Sequence, residues 1–258
     1  MSSLLNAQQV SKTYTLEKGN EHQALKDVSL QIEEGEFVSV MGPSGCGKST
    51  LLYNISGMDK LTSGSVCFAE NDMGSLSEKE LADLRLTKMG FVFQQSNLLK
   101  NLSIFDNIIV SAYLGGRKEK TRIDERALQL MKQTGIDHLK DNGVTQVSGG
   151  ELQRASICRA LINEPAMVFG DEPTGALNSS SAQEVMDIFC DLNQEGTTIL
   201  LVTHDTKVAA RSDRVLFMID GQIKGEYSLG KFKSGGSEED GVKERETRLT
   251  GWLSEMGI

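Results

Sequence analysis

The chain has no excess of positive charge: 27 Lys and Arg face 36 Asp and Glu, for a formal net charge of −9. A protein that grips nucleic acid regardless of sequence needs a basic face, so this balance argues against that class of partner. Long apolar stretches are missing as well. The longest strictly apolar run is about five residues, Val215 to Ile219, against the roughly 20 that a membrane-spanning helix needs, so the chain is not expected to cross a membrane by itself. The opening Met1-Ser2-Ser3-Leu4-Leu5-Asn6 lacks the basic stretch and apolar core of a secretion signal. None of the four cysteines (Cys46, Cys67, Cys158, Cys190) forms a C-x-x-C pair. A disulfide framework and a metal cluster are therefore not expected, and a reducing cytoplasm fits. There is no internal repeat. The 38% apolar content falls in periodic runs, which excludes disorder as the main state. At 258 residues, one large domain or two small ones sharing a core is expected.

The pattern alternates between strand and helix. The first thirty residues read as short strands around a polar loop, Glu17 to His22. Glu36 to Met41 is a β-type run broken by Gly42 to Gly47, and Ser49 to Ser56 has Leu51, Leu52 and Ile55 at helical spacing. Ser65 to Ala69 and Met89 to Phe93 read as strands, and Ser77 to Leu86 as a helix between them opened by a Ser77/Glu80 capping box. Residues from about 95 to 160 are mostly helical. Strands return at Ala166 to Phe169 and at the β-branched run Thr197 to Thr203, which has the look of a strand covered on both faces. Arg214 to Ile219 and Gln222 to Tyr227 flank Asp220-Gly221, a hairpin signal. The expectation is an α/β fold with a helical insertion. The tail from Lys231 holds Gly235-Gly236 and many charges, then Leu249, Trp252, Leu253 and Met256; a flexible link and a short amphipathic helix are expected.

Gly42-Pro43-Ser44-Gly45-Cys46-Gly47-Lys48-Ser49 fits G-x-x-x-x-G-K-[ST] between an expected strand and an expected helix. Glycines there let successive backbone N–H groups curl around phosphate oxygens, and the helix N-terminus adds partial positive charge. Lys48 is placed to reach the β- and γ-phosphates of ATP. Ser49 offers a hydroxyl to Mg²⁺, and Thr50 adds to the phosphate contacts. Cys46, inside the loop and near a helix start, is expected to have a lowered thiol pKa. It should be alkylated unless ATP protects it. A second cluster follows the apolar run Ala166 to Phe169 and Gly170: Asp171, a carboxylate for Mg²⁺, and Glu172, which would orient and polarise a water for attack on the γ-phosphate. Taken alone, such a pair is also what a strand end meeting solvent looks like.

One further motif narrows the family. Val147-Ser148-Gly149-Gly150-Glu151, followed by Gln153-Arg154, lies about 100 residues after Lys48 and about 20 before Asp171. It resembles the L-S-G-G-Q signature of ATP-binding cassette (ABC) proteins. The resemblance covers about residues 4 to 228. It implies a P-loop NTPase cassette with a mixed parallel sheet core, an N-terminal antiparallel β subdomain and a helical signature-motif insertion. It further implies that Tyr14 stacks on adenine, and that Gln94 (or its neighbour Gln95) touches Mg²⁺ and the attacking water. His204, after Leu201-Val202-Thr203, matches the switch histidine that contacts the γ-phosphate. Gly175 to Asn178 matches a loop that crosses to a second protomer. Each cassette carries half of a site, so Ser148, Gly149, Gly150 and Glu151 of one copy would face the ATP of another.

Three residues depart from the family pattern: Val147 for Leu, Glu151 for Gln and Asn178 for Asp. The last two fall where protomers should meet, which puts the strength of ATP-driven dimerisation in question. The runs Gly90 to Gln95 and Asp171 to Leu177 look like the lipoprotein-release and macrolide-export group. Asn178 and the Trp252-Leu253 tail look like its bacitracin-type antimicrobial-peptide resistance branch. The implied organisation is a cassette over residues 1–228, helical over about 95–160, then a charged linker and short helix over 229–258. The implied partners are a transmembrane permease, which would hold the chain at the cytoplasmic face of the membrane, and a second cassette. Leu98, Leu99, Leu102, Ile104 and Phe105 are candidates to line a groove for a permease helix. A soluble ABC ATPase of translation would carry two cassettes, and one of DNA repair a long coiled-coil insertion; this length holds neither.

Overall fold

Two long strands open the fold, β1 (Ser3–Thr15) and β2 (Glu21–Glu33). They are followed by β3 (Phe37–Met41), α1 (Lys48–Ile55), β4 (Ser63–Phe68), β5 (Asn71–Asp72), α2 (Glu78–Lys88), β6 (Met89–Phe93), α3 (Ile104–Gly115) and α4 (Lys120–Gln133). Then come α5 (Gly149–Leu161), β7 (Met167–Asp171), α6 (Ser179–Gln194), β8 (Thr198–Val202), α7 (Thr206–Ala209), β9 (Arg214–Ile219), β10 (Gln222–Ser228) and α8 (Glu238–Glu255). The computed structural model describes residues 3–15, 20–116, 119–232 and 238–256. It contains two compact units, 1–77 with 190–258, and 78–189.

In the first unit, β2-β1-β4-β5 form an antiparallel sheet. β1 and β2 are not the short strands expected. Each runs for 13 residues, with register shifts that bend the ribbon while keeping the pairing. Gln9 and Asp27, at positive φ, lie at or beside these irregularities. A second sheet has β3 at its centre, parallel to β8 on one side and to β9 on the other, with β10 antiparallel to β9. Every residue of β3 and β8 is buried, as expected of parallel strands covered on both faces. The β9–β10 hairpin turns at Asp220 and Gly221, both at positive φ, which suits the right-handed twist of the strands.

The tail helix α8 has 18 residues, longer than the sequence suggested, and it packs back onto this unit. Leu249 and Leu253 join Met41, Val215 and Phe217 in one apolar cluster. Trp252 stacks on Tyr227 at 5.3 Å and meets Phe217 edge-on at 6.4 Å. Arg245 donates to the backbone oxygens of Ala210 and Ser212 at 2.6 Å, of Gly230 at 2.9 Å and of Leu229 at 3.1 Å. The link around Gly235-Gly236 lies outside the described residues.

In the second unit β6 and β7 run parallel in register, from Met89 opposite Met167 to Phe93 opposite Asp171. Phe91 and Phe169 stack at 5.4 Å. Helix α3 buries Ile104, Ile108 and Ala112, and α4 buries Ile123, Ala127, Leu130 and Met131, the i, i+4 spacing of an inward helix face. Both pack against α5, which also covers β6. No described helix is long and apolar enough to cross a membrane.

Candidate functional site

The first unit brings the phosphate loop and His204 to one edge. β3 and β8 are parallel neighbours with Val40 opposite Val202, so the segments that follow them leave at the same C-terminal edge, the usual place for a ligand in an open α/β sheet. After β3, Gly42 (φ +152°) passes so near Met218 that a Cβ would lie 2.2 Å from its carbonyl oxygen. Gly47 (φ +104°) comes somewhat less close to Ala24 O, with a Cβ contact of 2.6 Å. Larger residues would push the loop off its support. The loop is tied down by Gly221 N donating to Cys46 O at 2.9 Å, and Pro43, Ser44 and Gly45 are exposed at its crest. Lys48 is buried, and its Nζ donates to Gly42 O at 2.8 Å and Pro43 O at 2.9 Å. The ammonium is thus held inside the loop with one of its three N–H donors left for a phosphate. Ser49 and Thr50 open α1 behind it.

After β8, Thr203 N donates to Val40 O at 3.1 Å, Asp205 N donates to Thr203 Oγ1, and Asp205 caps α7 by accepting from Lys207 N at 2.7 Å. His204, between these two anchors, is exposed. Tyr14, also exposed, lies near the end of β1, and its hydroxyl donates to Asp59 Oδ2 at 2.8 Å. Burial raises the Tyr14 pKa, and the Asp59 carboxylate adds to the rise, while the Thr50 side chain works the other way.

The thiol reading for Cys46 needs correcting. The residue is buried, and its pKa is raised, because burial outweighs the Lys48 charge and the backbone N–H groups that favour the thiolate. Cys158 is buried too, and burial pushes its thiol to about 12. A helix start lowers a thiol pKa only where the sulfur keeps contact with water.

The second unit gathers the other residues. Gln94 follows β6 and Glu172 follows β7, at the same ends of paired parallel strands. Their side chains converge over Gly175: a Cβ there would lie 2.9 Å from Gln94 Nε2 and 3.2 Å from Glu172 Oε2. Glu172 has φ +48°, a left-handed conformation that a bulky residue adopts at a cost and that often marks functional sites. Gly175 N donates to Glu172 O at 3.0 Å and closes the turn. Asp171 ends β7, half-buried.

The signature segment is built as a helix cap. Ser148 Oγ accepts from Glu151 N, while Glu151 Oε2 accepts from Ser148 N and from Ser148 Oγ, both at 2.7 Å. These hydrogen bonds hold the Glu151 carboxyl below its usual range. A glutamine would complete the same box, so Glu151 preserves the local shape. Ser148 and Gly149 are exposed, and Gly150 is pressed against Ser181, whose Oγ would lie 2.7 Å from a Cβ. Asn178 Oδ1 accepts from Ser181 N at 2.9 Å, a bond that an aspartate would also make.

Sequence reasoning missed Gln153. It is buried, and its Nε2 donates to Phe93 O at 2.9 Å and Pro173 O at 2.7 Å. One side chain of α5 thus ties together the carbonyl just before Gln94 and the one just after Glu172. Its polar neighbours in the helix gave no sign of burial. Of the proposed groove residues, Leu102 and Phe105 line an open apolar pocket with Ile109, Val110 and Tyr113. Leu98 and Ile104 are buried in the unit instead, and Leu99 is exposed.

The Ser49 hydroxyl of the first unit and, in the second, the Gln94 amide oxygen and the Asp171 carboxylate are each hard oxygen donors, the kind that Mg²⁺ takes beside substrate phosphates. Among the described residues no group of three His, Cys, Asp or Glu forms a dedicated metal cage.

The family model described as ABC transporter matches residues 25–175. The bacitracin export ATP-binding protein BceA of Halalkalibacterium halodurans is 42% identical over 222 residues, 86% of this chain and 87% of that protein. The macrolide export ATP-binding/permease protein MacB of Aggregatibacter actinomycetemcomitans is 42% identical over 221 residues, again 86% of this chain but only 34% of that longer protein. A solved dimeric ATP-binding cassette, MJ0796 in a post-hydrolysis state bound to ADP and phosphate, superposes with a TM-score of 0.82 at 38% identity, covering 88% of this chain and all of that one. The chain therefore belongs to the ABC transporter family, as an ATP-binding subunit whose ATP hydrolysis is coupled to transport.

Proposed function

We propose that this subunit drives a separate permease and that the complex acts on antimicrobial peptides of the bacitracin kind, in resistance or export. The observation that carries this is the match to BceA, which extends over most of both chains. A permease supplied as another chain accords with the name of BceA, which gives an ATP-binding protein and no permease, and of which 87% is covered. Residues 1–228 act as the cassette, with its helical part at about 95–160, and 229–258 form the tail. The chain works at the cytoplasmic face of the membrane, as a pair of cassettes that ATP holds together. The pocket lined by Leu102, Phe105, Ile109, Val110 and Tyr113, edged by Asp106, Lys120 and Asp124, receives a permease helix.

In this reading the loop Gly42, Pro43, Ser44, Gly45, Cys46 and Gly47 wraps the phosphates of ATP with its backbone N–H groups (proline has none), with Lys48, Ser49 and Thr50 completing the cradle. Ser49, Gln94 and Asp171 would hold Mg²⁺, which would supply positive charge against those phosphates. Glu172 orients and polarises the attacking water, with Gln94 beside it. His204 contacts the γ-phosphate and Tyr14 stacks on adenine. Ser148, Gly149, Gly150 and Glu151 present a helix N-terminus to the ATP of the second copy.

A macrolide-export or lipoprotein-release role is the second reading, favoured by the equal identity to MacB. The test is affinity purification of the tagged chain from detergent-solubilised membranes of its own cells, with the membrane protein that comes with it identified by mass spectrometry. A permease with a large extracellular domain supports the peptide-resistance reading. One with a hairpin-like periplasmic domain supports the second, and recovery of no membrane protein overturns both.

A further inference from the structure

Beside the phosphate loop, the base-stacking residue is held by an arrangement that an ordinary strand tyrosine does not need. Lys12 on β1 is buried, and its ammonium donates to Asp59 Oδ1 at 2.8 Å and to Lys60 O at 2.6 Å. The same ammonium lies 4.7 Å from the centroid of the Tyr14 ring, a cation–π distance. The other Asp59 oxygen, Oδ2, accepts the Tyr14 hydroxyl at 2.8 Å. Asp59 is itself anchored: its Oδ1 also accepts Lys60 N at 2.8 Å, and its own N–H donates at 3.0 Å to Tyr53 O in α1, the helix that the phosphate loop opens. Burial alone would raise the Asp59 carboxyl, but the hydrogen bonds from Lys12 and Tyr14 outweigh it and hold the group ionised.

The consequence is geometric. A tyrosine ring swings about two torsions, and holding it still before a ligand arrives removes part of the ordering cost of binding. Here the hydroxyl is tethered by Asp59 and one ring face is covered by Lys12. The residue is nevertheless 36% exposed, and the ring face turned away from Lys12 is the one a flat partner would meet. Because Asp59 hangs from α1, the ring is fixed relative to the loop that would hold the phosphates.

We propose that Lys12 and Asp59 are positioning residues for the nucleotide base: they lock Tyr14 so that its uncovered face meets adenine at a set distance from the phosphate loop. This rests on the reading of Tyr14 as the base-stacking ring. A simple structural brace between β1 and the segment after α1 would use the same contacts, so the test must separate the base from the phosphates.

Inorganic tripolyphosphate carries the phosphates without the base. Binding of MgATP and of Mg-tripolyphosphate is measured by calorimetry for the parent and for Asp59→Ala, Lys12→Met, Tyr14→Phe and Tyr14→Ala, each checked for an unchanged melting profile. Asp59→Ala and Lys12→Met are expected to weaken MgATP about 3- to 10-fold, the size of a lost hydrogen bond or cation–π contact, and to leave tripolyphosphate within about twofold. KM for ATP rises by a similar factor and kcat changes less. Tyr14→Phe, which keeps the ring but cuts the tether, falls between the parent and Tyr14→Ala; the last is weakened about 10-fold or more by loss of stacking. If Tyr14→Ala loses ATP affinity while Asp59→Ala and Lys12→Met do not, the positioning role fails and the stacking role stands. If Tyr14→Ala binds ATP like the parent, both fail. If tripolyphosphate weakens in step with ATP in Asp59→Ala and Lys12→Met, the pair braces the phosphate loop and the proposal is overturned.

Discussion

Replacing Gln153 by leucine tests whether the geometry around Glu172 is held in the way the contacts indicate. The side chain is 2% exposed and gives its amide hydrogens to Phe93 O and Pro173 O. Leucine fills nearly the same space but donates nothing, so two carbonyls in a largely dry setting lose their partner. Each such loss costs about 1–3 kcal/mol, and one or both oxygens will find partial replacement, so a total near 3 kcal/mol is the working figure. For a chain of this size that lowers the melting temperature by roughly 6–12 °C. Activity should suffer separately. The two carbonyls flank Gln94 and Glu172, whose side chains meet over Gly175, and a small displacement of a positioned group costs a factor of ten or more in kcat. Most of the phosphate contacts assigned to ATP come from the loop around Lys48, so KM for ATP should stay within about twofold of the parent value. Thermal unfolding together with steady-state ATPase kinetics decides the matter. Parent-like stability and kcat, or a loss carried entirely by KM, would refute the strap assigned to Gln153.

Lys48→Ala removes both a phosphate contact and the internal brace to Gly42 O and Pro43 O, and should weaken ATP binding by several kcal/mol in a calorimetric titration, a charge-assisted contact being about twice as strong as a neutral one; unchanged affinity would contradict this. Gly175→Ala places a methyl group 2.9 Å from Gln94 Nε2 and should cut turnover at least tenfold with ATP binding preserved, as read by ATPase rate and calorimetry. Because its pKa is raised, the buried Cys46 should have less thiolate at pH 8 than a free thiol and react with iodoacetamide more slowly than the less buried Cys67; faster labelling of Cys46 in a peptide map would oppose that. Trp252 is the only tryptophan in the chain, so Arg245→Ala, which strips four carbonyls of their donor, should shift its emission to the red as α8 loosens from β9 and β10.

Much of this was legible in the sequence, for identifiable reasons. The strands Met89–Phe93 and Arg214–Ile219 match the expected limits to the residue, because each is built on a compact, mostly apolar run cut off by polar or turn-forming neighbours. The phosphate loop could be read because its spacing reports backbone needs, and Gly42 and Gly47 sit where a Cβ would strike a carbonyl. Signals that depend on tertiary burial were hidden. β1 and β2 looked short because register shifts break the alternation that marks a strand. The Cys46 thiol was misjudged because the loop motif shows its charges but not its desolvation. Gln153 and Arg245 read as surface residues, since a polar side chain that serves buried carbonyls leaves no periodic trace. The length of α8 was masked by its charges and by Gly241 and Gly251, which weaken helical propensity while Leu249, Trp252 and Leu253 supply the packing.

The most direct test of the account is Glu172→Gln, which keeps the shape of the side chain and removes its ability to take a proton. The variant should bind MgATP like the parent, its ATPase rate should fall by at least two orders of magnitude, in line with the loss of a general base, and ATP should convert it to a stable dimer on size-exclusion chromatography. Near-normal turnover would remove Glu172 from the reaction and contradict the site proposed at the end of β7.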